Sequence, residues 1–519
     1  MQRLGLGGPR RGGPWRGATL LRRWLGGTGG GGGGGDSSSP TAPTPLPLRQ
    51  PQPQPRTYER LNGKKTKSTE FSVDRTGLIG EGSRMDDDLH AVLSNKNKEP
   101  LSPLGRDMLS LIKIRGPISM HDFMAQASNH ALHGYYQHNS GGEKIGAGGD
   151  FVTAPEISQL FGEMIGIWCL STWQALGEPK EITLVELGPG KGTLMKDILR
   201  VAAKFPRFKS AVNIHLVELS ETMRSLQREA LSCGGAKPAQ SQSGVVEMQS
   251  ALGVRISWCH MLQQVPEKAG VPSLVIGQEF LDAFPVHQFV YTKTGWREKL
   301  VDIDTTDASP FFFRLVLSNN ATPAVQALLM KGAKSPISGL AKSLSPVSPV
   351  TDQRGHIPAE LQENDGVEIC PLALATCEDI AKRIARNRGA ALLIDYGEDF
   401  TQSDSLRAFK KHKQVNLLSE PGVADITADV DFSACSRSAQ RYGAAVYPVI
   451  GQGEFLQRMG IMERVEKLIE AETTSDDQAS KIVASLRSLV DEKEMGKRFK
   501  VLAFTDPSLG PLVGLPQKV

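Results

Sequence analysis

The sequence predicts an α/β protein: a Rossmann-like, mainly parallel sheet with a helical N-terminal cap and an α+β insertion. Three observations carry that expectation. Ile182 to Leu187 is a largely apolar run of strand length, Gly188-Pro189-Gly190-Lys191-Gly192 is a tight glycine turn, and Leu194, Ile198 and Val201 then recur at helical spacing. Similar runs at 213–218, 273–277 and 389–397 each lead into an acid. Between 286 and 387 the pattern changes to shorter β-type segments, as an insertion would.

Residues 1–57 differ in kind. They hold eight arginines, no lysine and one acid, Asp36, with Trp15, Leu20, Leu21, Trp24 and Leu25 able to share one side of a short helix. Arg-rich, acid-poor and amphipathic is the pattern of a mitochondrial presequence, and the Gly29–Gly35 run and the Pro/Gln stretch are low-complexity. Residues 58–100 read as a polar linker. The formal net charge of +4, with no dominant Lys/Arg block, argues against a nucleic-acid partner. Six scattered cysteines without a C-x-x-C read as reduced thiols, and no apolar run is long enough to span a bilayer. His130, His133 and His138 have no cysteine nearby and no ligand spacing, so no metal site is expected.

The helical cap and lid are placed at 101–160. Leu104, Met108, Leu111 and Ile112 give a helix ended by Gly116-Pro117, and Ser119 is an N-cap candidate for the next. Tyr135, then Asp150, Phe151, Thr153 and Glu156 around a glycine-rich loop, suggest a lid over a site. An ordinary loop, with Thr153 or Ser158 capping the helix from Gln159 to Leu176, is the reading that these residues favour by themselves.

The first part of the Rossmann-like core is expected at 161–285. Its glycine turn has the third glycine one place early for a dinucleotide fingerprint, and Lys191 is followed by Gly192 rather than by the Ser or Thr of a P-loop. Glu186 would repel a pyrophosphate. S-adenosylmethionine (SAM), cationic and without phosphates, tolerates that acid, which makes Glu186, Gly188, Pro189, Gly190 and Gly192 candidate cofactor residues. A plain tight turn is the alternative. Glu218 ends the second strand, where an acid accepts from ribose hydroxyls, although it could instead start the following helix. The third strand, Arg255 to Cys259, brings Trp258 towards the adenine position. Glu279 follows the fourth strand, where chemistry sits in open α/β sheets, and Asp282 would share its face in a helical turn. Spacing alone leaves an acidic helix start equally open.

The insertion is placed at 286–388, with β runs at 286–292, 296–302 and 311–317, a Ser/Pro-rich loop near 334–358 and a helix from Leu372. The second part of the core, 389–519, holds the strand ending at Asp395 and an acidic loop with Asp429. Late strands at 444–449 and 499–504 are expected to close the sheet as an antiparallel pair.

Six blocks together give a resemblance. Gly134-Tyr135-Tyr136, Gly149 to Ser158, Val185 to Thr193, Glu279 to Asp282, Gly295 to Glu298 and Thr427 to Phe432 resemble the MidA family from Leu101 to Phe504. The resemblance implies a SAM-dependent protein arginine methyltransferase of the mitochondrial matrix. It further implies symmetric dimethylarginine on the 49-kDa (NDUFS2-type) subunit of respiratory complex I and support of complex I assembly. It places Gly188, Gly190 and Gly192 at the cofactor and Glu218 on its ribose; Glu279 and Asp282 are expected to be catalytic from their position. A SAM-binding assembly chaperone and a small-molecule methyltransferase are the alternatives, and a homodimer is compatible with the sequence. The chain departs from the family at Ile145-Gly146-Ala147-Gly148, after Leu231, near 334–358 and in a short C-terminus, and it lacks the paired-glutamate loop of better-known arginine methyltransferases.

Overall fold

The computed structural model describes residues 98–517 except 138–145, 147–148, 234–238, 241–245, 307–308, 330–361 and 472. The presequence, nearly all of the 58–100 linker, His138, most of the Ile145–Gly148 stretch and the loop near 334–358 lie outside the described residues.

Local chemistry sets the helix starts. Helix α1 (Pro103–Arg115) begins at Ser102, whose hydroxyl accepts from the Gly105 N–H, and Pro103 occupies the first turn, where no donor is missed. A two-residue strand β1 (Ile118–Ser119) leads into α2 (Met120–Asn129), with Ser119 capping through the Asp122 N–H. The lid contributes a single turn, α3 (Ala154–Ile157), and Ser158 caps α4 (Gln159–Ala175).

The sheet is then laid down by β2 (Ile182–Leu187), α5 (Thr193–Ala202), β3 (Val212–Val217), α6 (Glu221–Ala230), β4 (Val246–Gln249), β5 (Arg255–Cys259) and β6 (Ser273–Gln278). An antiparallel group follows: β7 (His287–Thr292), β8 (Gly295–Ile303), β9 (Phe313–Leu317) and β10 (Gly366–Ile369). Helix α7 (Pro371–Asn387) returns the chain to the sheet at β11 (Gly389–Glu398). A small three-stranded sheet, β12 (Arg407–Lys410), β13 (Lys413–Val415) and β14 (Asp425–Thr427), precedes α8 (Phe432–Arg441) and β15 (Ala445–Val446). Helices α9 (Gln452–Arg458), α10 (Ile461–Ile469) and α11 (Asp476–Val490) lead to the last strand, β16 (Phe499–Thr505).

The central strands lie in the order β15-β16-β11-β6-β2-β3-β5-β4. β11, β6, β2, β3 and β5 are parallel, and β16 runs antiparallel between β11 and β15, so the expected late pair does close the sheet. Every residue of β2 and β6 is buried, because helices cover both faces. One face packs Trp168, Leu194, Ile198 and Phe455; the other packs Cys377, Ile380, Ile384 and Phe432.

The structure redraws two expected boundaries. Helix α7, assigned from sequence to the insertion, lies on the central sheet, because a parallel connection from β6 to β11 needs a helix to cross over the face. The N-terminal cap, the antiparallel strands and the 407–428 segment share one core: Leu104, Met108, Phe123, Val301, Phe313, Ala408 and Ile426 pack together. The cap even adds β1 to the edge of β8, pairing Ile118 with Val301. The last described residues are also part of the fold, since Leu509, Leu512 and Leu515 join the main core.

This shared core is testable. The Phe123 and Phe313 rings meet edge to face with centroids 6.1 Å apart. Phe123→Ala and Phe313→Ala should each lower unfolding free energy by about 3–5 kcal/mol in denaturant titrations. The double variant should lose about 0.5–1.5 kcal/mol less than the sum; strict additivity would mean that cap and insertion are energetically separate.

Candidate functional site

A cavity of about 410 Å³ opens at the carboxyl ends of β2, β3, β5 and β6, the position where open parallel sheets bind ligands. Its floor is the glycine turn. Gly188 and Gly190 have φ of +61° and +51°, and a Cβ on Gly188 would stand 2.5 Å from the Phe280 ring. Glycine is therefore needed there both for conformation and for space. Gly192 (φ +85°) is the N-cap of α5 and faces Gln227 rather than the cavity.

Two acids stand over the turn. Glu186 is almost fully buried, its Oε2 has no hydrogen-bond partner among the described residues, and burial pushes its carboxyl up to about 8. Glu218 follows β3 and accepts from the Ser220 N–H at 2.8 Å and the Gln227 amide at 3.2 Å; burial raises its pKa as well. Gln227 is the hub here. Its Nε2 also donates to the Gly190 carbonyl at 2.7 Å, and its Oε1 accepts from the Trp258 indole at 2.9 Å. Beyond Glu218, Leu219 and Met261 line the cavity although 56% and 51% exposed, two apolar side chains left largely uncovered by the described residues.

At the other end, Glu279 lies directly after β6 in a left-handed conformation, φ +49°. Its Oε1 accepts from the Ala154 N–H at 3.0 Å and the Gln278 amide at 2.9 Å. Burial pushes its carboxyl up to about 8, against those hydrogen bonds and with a small addition from the Asp282 charge. The turn that carries it is held from behind: Asp395, within β11, accepts from the N–H groups of Phe280, Leu281 and Asp282 at 3.0, 2.9 and 3.3 Å.

The segment expected to form a lid reaches both ends. Glu156 accepts from the Thr193 hydroxyl and pairs with Lys191 at 3.3 Å, fastening α3 to the glycine turn. Phe151, Thr153 and Pro155 line the same wall.

Of the residues expected from sequence, Glu186, Gly188, Pro189, Gly190, Glu218, Glu279, Phe151, Thr153 and Glu156 line this one cavity. The others do not, each for a physical reason. Asp282 does not share a face with Glu279: the chain turns rather than entering a helix, and Asp282 lies behind the wall, its carboxyl hydrogen-bonded with Tyr396 and pushed up to about 6 by burial. Trp258 is fully buried and bonds Gln227, which in turn holds the cavity-lining Gly190 and Glu218. Tyr135 and Asp150 bond each other at 2.8 Å, and Asp150 also accepts from the Lys411 N–H at 2.7 Å, which ties the lid to the β12–β13 turn. Tyr136, not Tyr135, faces the cavity, its hydroxyl donating to Asp425 at 2.9 Å. Asp429 pairs with Arg407 beside a second, smaller cavity.

Sequence reasoning misses Gln227, Gln278, Leu219, His260 and Met261. A glutamine on the buried stripe of α6, four residues after Met223, is the one available signal for Gln227. The others sit at or just past strand ends, where no periodicity marks them.

Comparison with known proteins decides the family. A family model of S-adenosyl-L-methionine-dependent methyltransferases, Methyltransf_28, matches residues 164–450. The chain belongs to this methyltransferase family. It is similar to proteins named protein arginine methyltransferase NDUFAF7, mitochondrial. The Danio rerio protein is 36% identical over 398 residues, covering 76% of this chain and 85% of the relative. The Homo sapiens protein is 35% identical over 410 residues, covering 78% and 84%. The Drosophila melanogaster homolog is 34% identical over 415 residues, covering 79% and 86%. Among solved structures, a COG1565 superfamily member from Burkholderia thailandensis bound to S-adenosyl-homocysteine superposes with a TM-score of 0.58 at 24% identity, covering 80% of this chain and 97% of that one.

SAM is therefore the cofactor of this methyltransferase, and the protein is mitochondrial. The residues present fit that cofactor. Glu186 offers an orphaned buried oxygen beside the glycine turn, which suits a cationic amino group. Glu218 offers a carboxylate for hydroxyls, and Leu219 and Met261 offer apolar flanks for a planar base. Among the described residues no His/Cys/Asp/Glu group is placed to hold a metal, and no helix is long and apolar enough to cross a membrane.

Gly188→Ala tests the floor of the site. A non-glycine residue in the left-handed region costs about 1–2 kcal/mol, before the collision with Phe280 is counted. Calorimetry should show SAM binding weakened by roughly tenfold or more, and the strain should also lower the thermal transition by a few degrees.

Proposed function

We propose that this methyltransferase acts on arginine side chains of a mitochondrial matrix protein. The carrying observation is Glu279: a buried carboxyl at the end of β6, facing the same cavity as the glycine turn, with one oxygen already committed to Ala154 and Gln278. The names of the relatives support the same substrate. The finer reading is symmetric dimethylarginine on the 49-kDa (NDUFS2-type) subunit of complex I, with a role in complex I assembly, as the sequence resemblance implies.

When bound, SAM supplies a methyl group on a positively charged sulfur. The chain's own residues handle charge, orientation and water. A guanidinium is always protonated near neutral pH and its nitrogens have no free lone pair. Glu279 draws the positive charge towards one edge and takes the proton that the methylated nitrogen sheds. Its raised pKa suits the second task, because a base is most effective when its pKa lies near the working pH. Cationic ligands in turn favour the ionised forms of Glu186 and Glu279, two carboxyls that burial pushes up to about 8. Phe151, Thr153 and Pro155 exclude water from the wall above them. Asp282, out of reach of the cavity, acts on Glu279 only through its charge.

The reading is tested by incubating purified protein with methyl-labelled SAM and a mitochondrial matrix extract, then hydrolysing and separating the labelled amino acids. Label in symmetric dimethylarginine of the 49-kDa subunit is expected; label in small molecules alone, or none with SAM bound, overturns it. Glu279→Gln should lower kcat by about 10²–10⁴-fold. The free-enzyme carboxyl near 8 must lose its proton to act. The wild-type kcat/KM should therefore climb with pH and level off above that value, and the profile of the Glu279→Gln variant should lose this limb.

A further inference from the structure

We infer that Gln278 is the residue that makes this site read a planar guanidinium rather than a lysine ammonium, by presenting its amide oxygen beside the Glu279 carboxylate. The inference rests on the arginine reading above.

The backbone provides the first argument. In a strand, neighbouring side chains point to opposite faces, so residues 278 and 279 should not share a cavity. They do share one, because Glu279 leaves the strand in the left-handed region, φ +49°, while its N–H still bonds the Ile394 carbonyl at 2.9 Å. A glutamate tolerates that conformation poorly, and strain of this kind persists where surrounding structure enforces it. Asp395 enforces it here, through the three N–H groups that follow Glu279.

The side chains provide the second. Gln278 is 7% exposed and donates its Nε2 to Glu279 Oε1 at 2.9 Å. That bond sets the orientation of the amide, since the flipped form would oppose two oxygens. The carbonyl oxygen, Oε1, is then left buried without a hydrogen-bond partner among the described residues. Burying such an acceptor is unfavourable until a donor arrives. Glu279 Oε1 is taken by Gln278 and Ala154, so its other oxygen is the one left for the substrate. Two adjacent acceptors, one charged and one neutral, match the rigid N–H fork of a guanidinium. An ammonium has donors to spare, but they radiate from one nitrogen and cannot meet two side-by-side acceptors with parallel N–H bonds as the planar fork can.

The experiment compares Gln278→Met, similar in length but without either polar atom, with Gln278→Glu, which keeps an acceptor. A peptide spanning the arginine labelled in the assay above, and its lysine counterpart, are titrated by calorimetry into full-length protein saturated with S-adenosylhomocysteine. Gln278→Met should weaken the arginine peptide by roughly ten- to hundredfold, the loss expected for a hydrogen bond to a charged group, weaken the lysine peptide by clearly less, since Glu279 loses a donor in both cases, and leave S-adenosylhomocysteine as before. It should also move the acid limb of kcat/KM to higher pH, because Glu279 loses a donor that favours its ionised form. Gln278→Glu should keep the preference for arginine. Equal losses for the two peptides, a parallel loss of S-adenosylhomocysteine affinity, or an unchanged preference in Gln278→Met overturns the inference. Wild-type protein that neither methylates nor binds the arginine peptide is a different result: it removes the arginine reading itself, and this inference with it.

Discussion

The site depends on one buried carboxylate that never touches it. Asp395, three residues inside the end of β11, accepts from three successive backbone N–H groups of the turn after β6, while its other oxygen accepts from the Tyr396 N–H at 2.9 Å. Those donors would otherwise be buried and unpaired, so the turn has one favourable path. The same path drives Glu279 into a conformation that glutamate avoids and carries Gln278 and Glu279 to one wall. The parallel register beneath it, Gln278 opposite Ile394, sets how far that wall stands from the glycine turn.

The lid is joined to the chemistry by the same economy. The first turn of α3 has no side-chain cap of its own, as Thr153 makes none, and its Ala154 N–H is satisfied by Glu279 instead. Glu156, two residues on, reaches the glycine turn. The glycine turn and Glu279 are thus linked through α3, and a change in the charge of Glu279 is felt there through the Ala154 bond.

Much of this arrangement is legible in the sequence because strand ends and helix starts are local. Glu186, Glu218 and Asp395 each close a buried apolar run, and Ser119, Ser158 and Asp431 cap the helices that follow them. What is not legible depends on partners far along the chain. Asp282 turns away because a carboxylate 113 residues later holds its backbone. Trp258 looks like a cofactor residue, yet a strand buried on both faces carries no polar alternation to tell which side faces a ligand. The insertion reads as separate because its period differs, but periodicity says nothing about which distant helices share its core.

That shared core bears on the order in which the molecule can be completed. Ser102 bonds the Pro421 carbonyl across 319 residues, and Tyr136 bonds Asp425 across 289. A chain delivered from its N-terminus exposes Leu104, Phe123 and Met124 long before the residues that bury them exist in the same compartment. Closing a loop of that size adds only a logarithmic entropy penalty, so the finished state is not weakened. The vulnerable interval is the synthesis itself, in which a half-delivered polypeptide presents a greasy helical face.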